Sequence, residues 1–358
     1  MGKMVYNTIE SKLERKRTMS EPLVNVTRGP IVESVHYGDI AVVDHTGRLL
    51  AFAGDPYRVT YLRSAAKPLQ ALNVLLSGAA DRFAFTDEEL AIMCASHYGE
   101  DYHQKVIQGI LEKLGLALSD LKCGAPYSIS PWVYEQQLRD HVQLDTWNCD
   151  CSGKHAGFLA TCLTKGYPLE NYDRPEHPLQ REVLKLVAHM CGVEPDSIYI
   201  GEDGCGVPVH GLPVYNMALG FARLAKPEGL SGDCAAACGR IFRAMNAHPE
   251  MVEGHKGFVT SLMEATHGKL AAKNGAEGVF CVALKEQGIG IALKIEDGDP
   301  GRPVSPAVMR ALEDLDLLTE EEAKALSSFA RKDNRGNMDQ LVGEVVPAYH
   351  LHRVGQAR

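Results

Sequence analysis

Strand-like segments lie at both ends of this sequence, and helical patterns occupy the long stretch between them. Residues 40–43 and 49–53 flank the turn sequence DHTGR and predict a hairpin. Residues 278–284 and 288–295 predict a second hairpin, and residues 341–346 form another strand-like run. This order predicts one sheet assembled from both ends of the chain, with a helical insertion between them.

The helical period begins soon after the first hairpin. In LRSAAKPLQALNVLLSGA four leucines fall on one face, which predicts a helix that starts near Ser64 and stops near Gly78. Further helices are predicted at 87–95 with Thr86 as N-cap, 102–114, 131–141, 154–165, 178–191, 214–224, 234–247 and 305–312. The predicted fold class is α/β in the α+β sense: an antiparallel sheet domain flanked by helices, about 21–60 and 275–358, plus a helical domain, about 61–274.

Composition narrows the classes of partner. The net charge of −9 disfavours nucleic acid, because phosphate binding needs clustered Lys and Arg. The one basic cluster, ESKLERKRTMS, precedes no apolar run, so residues 1–20 are expected to form a solvated extension, or to lie upstream of a true start at Met19. No apolar run approaches the roughly 20 residues of a membrane span. Neither nucleic acid nor a membrane is an expected partner.

The cysteines indicate the redox compartment. Ten cysteines are spread over 358 residues without an export signal, which favours reduced thiols and a cytoplasmic location over a disulfide framework. Several sit in apolar runs such as AIMCAS, where a thiol packs as a small hydrophobe. Cys149, Cys151 and Cys205 differ, because Gly, Asp and Lys surround them.

A serine stands three residues before a lysine where the first long helix is predicted to begin. Ser64 and Lys67 in RSAAKP would share one helix face, so that the amine could take the hydroxyl proton. The lysine serves as a base only if burial or cations such as Arg63, Lys154 and Lys273 lower its pKa. Ser-x-x-Lys also occurs by chance in many solvent-facing helices. Here two alanines leave the pair accessible, and the helix N-terminus can stabilise an oxyanion.

Two glycine-rich clusters carry polar side chains. NCDCSGKHAGF holds Cys149, Cys151, Lys154 and His155, and GEDGCGVPVHG holds Asp203 and Cys205. Such loops seldom serve packing, because backbone freedom costs stability, so they are functional candidates. Cys151 and Cys205 could meet at one tetrahedral zinc, although the paired C-x-x-C spacing of structural sites is absent. Cys151 is favoured over Cys149 because Ser-Gly-Lys-His follows it; the alternative is that one or both are surface thiols.

A further Ser-His pair, Ser96 and His97 in MCASHYGED, follows an apolar helix at the point where it would leave the core. The pair is either part of a site or an ordinary helix C-terminus with a histidine that suits the dipole. Spacing alone does not decide between these interpretations.

The motifs RSAAKP, CASH, CSGKH, DGCGVP and KNGAEG follow one another in an order that resembles the asparaginase II family of rhizobial type, a serine-dependent group. The resemblance runs from about Val26 in VTRGPIVES through the tail DNRGNMDQLVGEVVPAYHL. It implies a fold similar to serine β-lactamases and bacterial glutaminases, hydrolysis of L-asparagine, and a homodimer. The substrate would be the small molecule L-asparagine.

Carried onto this sequence, the resemblance implies that Ser64 is the nucleophile and Lys67 its base. It implies that Ser96 and Lys273 form a second Ser-Lys pair that completes a proton relay. The expected reaction is attack of Ser64 on the carboxamide, departure of ammonia, and hydrolysis of the aspartyl ester by water. The oxyanion donors are expected to be backbone N–H groups near Ser64.

The resemblance also implies a zinc ion bound by Cys151, Cys205 and Lys154, with water in the remaining position. The amine of Lys154 can ligate zinc only in its neutral form. Cys149 is a departure that adds a thiol beside the expected ligands. Ligand choice between the two neighbouring thiols therefore stays open at this point.

Asparagine is a zwitterion, so its site needs a carboxylate for the ammonium group and a cation for the carboxylate. Asp203, a substrate contact by the resemblance, suits the first role. Arg63 or His155 is the hypothesis for the second, and His97 is a further candidate for contact with substrate.

Two other functions remain open. Zinc-bound water could be the nucleophile of a metallo-amidohydrolase, with Ser64 limited to positioning. A non-catalytic zinc or amino-acid-binding protein would bind without turnover, but the presence of both serines and both lysines disfavours it. A penicillin-interacting Ser-x-x-Lys enzyme would require a Lys-Thr-Gly strand and an export signal, and neither is in this sequence.

Overall fold

The computed structural model describes residues 19–355, so the predicted extension 1–20 lies outside the described residues except for its last two positions. The strands are β1 Glu21–Arg28, β2 Ile31–Asp44, β3 Leu49–Ala53, β4 Val59–Tyr61, β5 Tyr199–Glu202, β6 Pro208–Pro213, β7 Leu270–Gly275, β8 Val279–Leu284, β9 Ile289–Ile295, β10 Lys332–Arg335, β11 Leu341–Pro347 and β12 His352–Arg353. Within this range nine strands form one sheet in the order β10-β11-β1-β2-β9-β8-β7, with β3 paired to β2 and β12. β4, β6 and β5 form a small second sheet.

Strand β2 joins the two ends of the chain. Its first half pairs with β1, and its second half pairs antiparallel with β9 from Gly38 opposite Ile295 to Asp44 opposite Ile289. The first half is mostly exposed, whereas the second half is buried. The run IAVV is apolar on both faces of the pleat, as a strand covered on both sides requires. The predicted sheet built from both ends is confirmed.

The helices fill the middle of the chain and flank the sheet. They are α1 Lys67–Leu76, α2 Ala79–Arg82, α3 Asp87–Met93, α4 Asp101–Leu114, α5 Pro131–Arg139, α6 Ser152–Lys165, α7 Pro178–Cys191, α8 Val214–Ala225, α9 Gly232–Ala247, α10 Pro249–Val252, α11 Phe258–Thr266, α12 Val304–Asp314, α13 Glu320–Ala325 and α14 Ser327–Ala330. The helices predicted between 87 and 312 are all present, with ends displaced by two residues or fewer. Thr86 caps α3 as predicted, by accepting from the backbone N–H of Glu89. The predicted fold class, helices around an antiparallel sheet, is confirmed.

The range 61–274, predicted as helical, also contains strands β5, β6 and β7. Strand β7 pairs with β8 and belongs to the large sheet, so the carboxyl-terminal contribution to that sheet begins at Leu270. These strands have four to six residues each, and β6 contains Pro and Gly. Segments this short take their structure from tertiary pairing, which period-two patterning does not reveal.

One helix lies directly against the centre of the sheet. A Cβ built on Gly290 in β9 would stand 1.8 Å from the carbonyl oxygen of Ala218 in α8. Only glycine permits this approach of helix to strand. In the described residues, none of the helices combines the length and the apolar character that a membrane crossing demands.

Candidate active site

The Ser64 turn connects the small sheet to the first helix. β4 pairs with β6 and is followed by a 3-10 helix, Arg63–Ala66, which runs into α1. Arg63 has φ 49°, in the left-handed region, which costs a non-glycine residue about 1–3 kcal/mol. Its guanidinium Nε lies 2.8 Å from Asp203 Oδ1, so the two side chains form an ion pair. The strained residue therefore immediately precedes the candidate nucleophile.

Ser64 and Lys67 line one small cleft, together with Arg63, Lys154 and Asp203. The predicted proximity of serine and lysine is present, but among the described residues the Lys67 amine bonds to other groups. Lys67 Nζ lies 3.0 Å from Ser96 Oγ. Both side chains line the same cleft. Direct proton transfer from Ser64 to Lys67 stays a prediction.

A hydroxyl stands between two buried lysines. Lys273 Nζ on β7 lies 2.9 Å from Ser96 Oγ, which also contacts Lys67. The side chains of Lys67 and Lys273 are 1% and 0% exposed. Lys67, Ser96 and Lys273 thus form one connected network of amine, hydroxyl and amine, and Ser64 lines the cleft beside Lys67.

The two amines of this network differ in charge. Burial lowers the pKa of Lys273 to about 7, and the positive charge of Lys67 adds to the effect. Burial also lowers the pKa of Lys67, but the negative charges of Asp150, Cys151 and Cys205 outweigh it, so the pKa of Lys67 is raised overall. At neutral pH Lys67 is therefore a cation, and Lys273 is available to accept a proton.

Asp150 belongs to the candidate cluster NCDCSGKHAGF, although the sequence predicted no role of its own for it. Its Oδ2 lies 3.1 Å from Lys67 Nζ, and its backbone carbonyl lies 3.3 Å from the same atom. It stands between the two cysteines of NCDC, and its position next to the candidate ligands was the available signal. Its carboxylate is the main partner that keeps Lys67 charged.

The three predicted zinc donors converge. Lys154 Nζ lies 2.9 Å from Cys205 Sγ. The interaction with Cys151 is the largest cause that lowers the pKa of Cys205 to about 5, and the hydrogen bond with Cys149 is the largest cause that lowers the pKa of Cys151. Cys151 occupies the N-cap of α6, where the helix dipole favours a thiolate. Two thiolates and one amine that is buried with them make a donor set that fits zinc.

Cys149 is close to this donor set but is a poorer ligand. Its Sγ donates to the carbonyl of Cys123 at 3.3 Å, and the interaction with Cys123 is the largest cause that raises its pKa. Cys149, Asp150 and Cys151 do offer ligand atoms within 4.8 Å of one another. A protonated thiol binds metal weakly, so the geometry favours Cys151.

Of the residues predicted to bind substrate, the structure places Arg63 and Asp203 in the cleft and places the two histidines elsewhere. His155 is buried with Nδ1 2.7 Å from the Tyr172 hydroxyl. His97 Nε2 lies 2.8 Å from Ser152 Oγ. Neither His155 nor His97 is among the residues that line the cleft.

His210 is a cleft residue that the sequence analysis missed, although GEDGCGVPVHG contains it. The side chain lies on β6, is 1% exposed, and has no partner in the described part of the chain for either ring nitrogen. Burial lowers its pKa to about 4, with a further contribution from Lys154, so the ring is neutral at pH 7. A neutral ring offers one donor and one acceptor to a ligand.

Residues 24–347 match the sequence pattern of the family described as L-asparaginase II. The chain belongs to the L-asparaginase II family. The predicted resemblance is confirmed over nearly the whole described range.

Solved structures give more distant matches. A structure described as Mglu in its native form is 16% identical, covering 79% of this chain and 66% of that chain, with a TM-score of 0.36. A structure from Bacteroides dorei DSM 17855 that carries the name of a β-lactamase is 16% identical, covering 76% of this chain and 92% of that one, with a TM-score of 0.40. The chain spans 61–66% of the Mglu chains in their native and glutamate forms. The comparison with curated proteins gave no match.

Proposed function

We propose that this protein is a zinc-binding L-asparaginase, which hydrolyses the side-chain amide of L-asparagine to L-aspartate and ammonia with Ser64 as nucleophile. One observation carries the proposal: Ser64 lines a small cleft that is also lined by the Arg63–Asp203 ion pair and by Lys67, the end of the Lys67–Ser96–Lys273 network. The cleft therefore combines a hydroxyl nucleophile, a route for its proton and two opposite charges for a zwitterion.

The proton route follows from the charges of the two lysines. Lys67 releases a proton to the Ser96 hydroxyl, which passes a proton to the neutral amine of Lys273. The neutral Lys67 then takes the Ser64 proton as Ser64 Oγ bonds to the carboxamide carbon. As the tetrahedral intermediate collapses, its C–N bond breaks, and the amide nitrogen takes a proton from Lys67 and leaves as ammonia. Water then attacks the aspartyl ester while Lys67 accepts its proton, and Ser64 regains that proton as L-aspartate leaves.

Substrate binding uses the ion pair beside Ser64. The Arg63 guanidinium would bind the α-carboxylate of asparagine, and Asp203 would bind the α-ammonium group. Arg63 would exchange the carboxylate of Asp203 for the carboxylate of the substrate. Asp203 would exchange the guanidinium of Arg63 for the ammonium group of the substrate. Because Arg63 and Ser64 are adjacent in the chain, holding the carboxylate also fixes the distance from the substrate to the nucleophile.

Cys151, Lys154 and Cys205 would hold the zinc ion. A bound dication supplies positive charge to the cleft, which favours the neutral form of a nearby amine and an anionic substrate group. Lys154 must lose its proton to bind, and the charges of Cys151 and Cys205 raise its pKa in the metal-free arrangement. Metal binding is therefore expected to release a proton.

The deciding experiment measures ammonia release from L-asparagine and, separately, from L-glutamine. We expect Ser64→Ala to lower the rate on L-asparagine by at least about 10³-fold, because the nucleophile acts as a unit with its base. Ser34→Ala, at an exposed serine of β2, is the matched control. A fully active Ser64→Ala enzyme that chelation inactivates would establish the metallo-amidohydrolase instead, and saturable binding without turnover would establish a binding protein.

The assembly and location proposed with this function are a homodimer in the cytoplasm. All ten cysteines are buried and none forms a disulfide in the described range, which fits a reducing compartment. Sedimentation of the purified protein measures the dimer directly, and a monomer at all concentrations would contradict it.

A further inference from the structure

A second cavity, of about 310 Å³, lies beside the strand that carries Lys273. Its lining includes Asn274 and Gly275 of β7 but none of the residues that line the Ser64 cleft. A Cβ on Gly275 would stand 2.9 Å from the Leu62 carbonyl and 3.2 Å from the Ala65 nitrogen. The strand therefore packs directly against the Ser64 turn, and the cavity neighbours the cleft without being part of it.

The amino end of α12 forms one wall of the cavity. No side chain caps this 11-residue helix, and its first turn holds no acidic residue. The backbone N–H groups of Val304 and Ser305, which both line the cavity, therefore have no partner within the helix. The partial positive charge of the helix end is directed at whatever the cavity contains.

The Ser305 side chain adds an independent sign of a ligand. It is 4% exposed, and its Oγ has no hydrogen-bond partner among the described residues. An unsatisfied buried hydroxyl costs about 1–3 kcal/mol. A hydroxyl held in this state next to two free N–H groups is suited to donate to an anion.

Lys332 supplies a full positive charge to the same cavity. Its Nζ donates to the carbonyl of Gly301 at 2.5 Å, and both residues line the cavity. Burial lowers the pKa of Lys332. The nearby carboxylate of Asp299 accepts from the backbone N–H groups of Gly301 and Arg302, so it is already occupied. An anion beside Lys332 would restore the solvation that its amine has lost.

The other walls limit the size and character of the ligand. The ring of Phe258 lies 5.2 Å from that of Phe280 and 5.0 Å from that of Phe329, and the three form an apolar wall. A volume of about 310 Å³ is at the lower end of the range for small-molecule sites. Glu253 also lines the cavity, but both of its carboxylate oxygens already accept hydrogen bonds from the protein. The cavity therefore admits a small organic molecule rather than a nucleotide or a peptide.

We propose that this cavity binds the carboxylate of a molecule of amino-acid size, through the Ser305 hydroxyl, the amino end of α12 and Lys332, and that its occupation alters catalysis. Asn274 connects it to the relay. Its Nδ2 donates to Glu253 Oε1 at 3.1 Å, and its Oδ1 accepts from Lys273 Nζ. A ligand that moves Asn274 changes the contacts of Lys273.

Calorimetric titration of the full chain with L-aspartate tests the binding. We expect two events: Asp203→Asn removes the one in the Ser64 cleft, and Ser305→Ala or Lys332→Met removes the other. A single event that only Asp203→Asn removes, or two events that survive both cavity variants, would overturn the proposal. Lys332 is partly exposed, so its variant keeps the test open if Ser305→Ala destabilises the fold. Parallel titration with inorganic phosphate overturns the carboxylate assignment if phosphate alone fills the cavity.

Kinetics tests the connection to the relay. We expect kcat for ammonia release to change by twofold or more as sodium acetate fills the cavity. In Ser305→Ala we expect kcat to be independent of acetate. Without acetate, the rate of this variant should equal that of the unmodified protein. An unchanged kcat at saturating acetate would overturn the connection. The binding part does not rest on the proposed asparaginase function: if no amide is hydrolysed, the titration still decides whether the cavity is a site.

Discussion

Lys273 in the relay and Lys154 in the predicted zinc donor set are both buried, yet their amines are in opposite states. Burial and the positive charge of Lys67 both lower the pKa of Lys273, which falls to about 7. Burial also lowers the pKa of Lys154, but the negative charges of Cys151 and Cys205 outweigh it, so the pKa of Lys154 is raised overall. The neighbours, rather than the burial, decide whether a buried amine is ready to accept a proton or to neutralise thiolates.

The difference separates two tasks within a single site. A neutral amine in the relay can take a proton at neutral pH without any other change. The amine of the donor set stays charged until a metal ion displaces its proton. Exchanging the surroundings of the two lysines would therefore disable both tasks.

Lys273→Met should lower kcat/KM for L-asparagine by about 10²–10⁴-fold, the usual contribution of a general base. Lys294→Met is a matched control, because Lys294 is also a buried lysine of the large sheet but bonds only to the carbonyls of Glu277 and Ile295 among the described residues. Steady-state kinetics on both variants makes the comparison. Equal losses in the two would show that the sheet needs buried lysines for folding and that Lys273 has no special part.

Cys205→Ser should weaken zinc binding by more than about 10–100-fold, the loss typical when only a supporting group is changed. Cys149→Ser should leave affinity unchanged, because Cys149 is a thiol whose hydrogen goes to the Cys123 carbonyl. Competition with a chromogenic chelator measures both affinities. If Cys149→Ser is the weaker binder, the metal lies at the Cys149, Asp150 and Cys151 group instead.

The pH profile should reveal the state of Lys273. Its neutral form is the base, so kcat/KM should fall about tenfold per pH unit below a pKa of about 7. The same lowered pKa affects stability. Between pH 7 and 10.5 the Lys273 amine is protonated in the unfolded chain but neutral in the folded protein. The contribution of Lys273 to the free energy of unfolding should therefore rise with pH in that window. Rates from pH 5 to 8 check the first statement, and a flat profile would contradict it.

His210→Ala should raise KM for L-asparagine by about fivefold, which corresponds to one neutral hydrogen bond of about 1 kcal/mol, and leave kcat nearly unchanged. His210→Asn, which keeps one donor and one acceptor, should restore much of the affinity. Equal thermal stability of the variants would separate binding from packing. A fall in kcat at constant KM would place His210 in the chemical step instead.

Much of this arrangement could be predicted from local patterns. The Ser64 motif, both cysteine clusters and the second hairpin each depend on residues close in sequence, where turn chemistry and helical period act. Lys273 was assigned only through resemblance, because its contact with Ser96 spans 177 positions and depends on how β7 joins the sheet. Asp150 and His210 lie inside the two glycine-rich clusters, but their roles depend on residues distant in sequence, such as Lys67 for Asp150, and local patterns do not reveal those contacts.

The late position of strand β7, which carries Lys273, affects the order in which the site is assembled during synthesis. A ribosome delivers Ser64, Cys151 and Cys205 well before Lys273, and β2 cannot pair with β9 until residue 295 has emerged. The nascent chain therefore contains the thiols and the nucleophile while it still lacks its proton acceptor. Contacts between such distant segments form late and slowly. The complete Lys67–Ser96–Lys273 relay should therefore form only in the final stage of synthesis, after Ser64 and the predicted metal ligands are already in the chain.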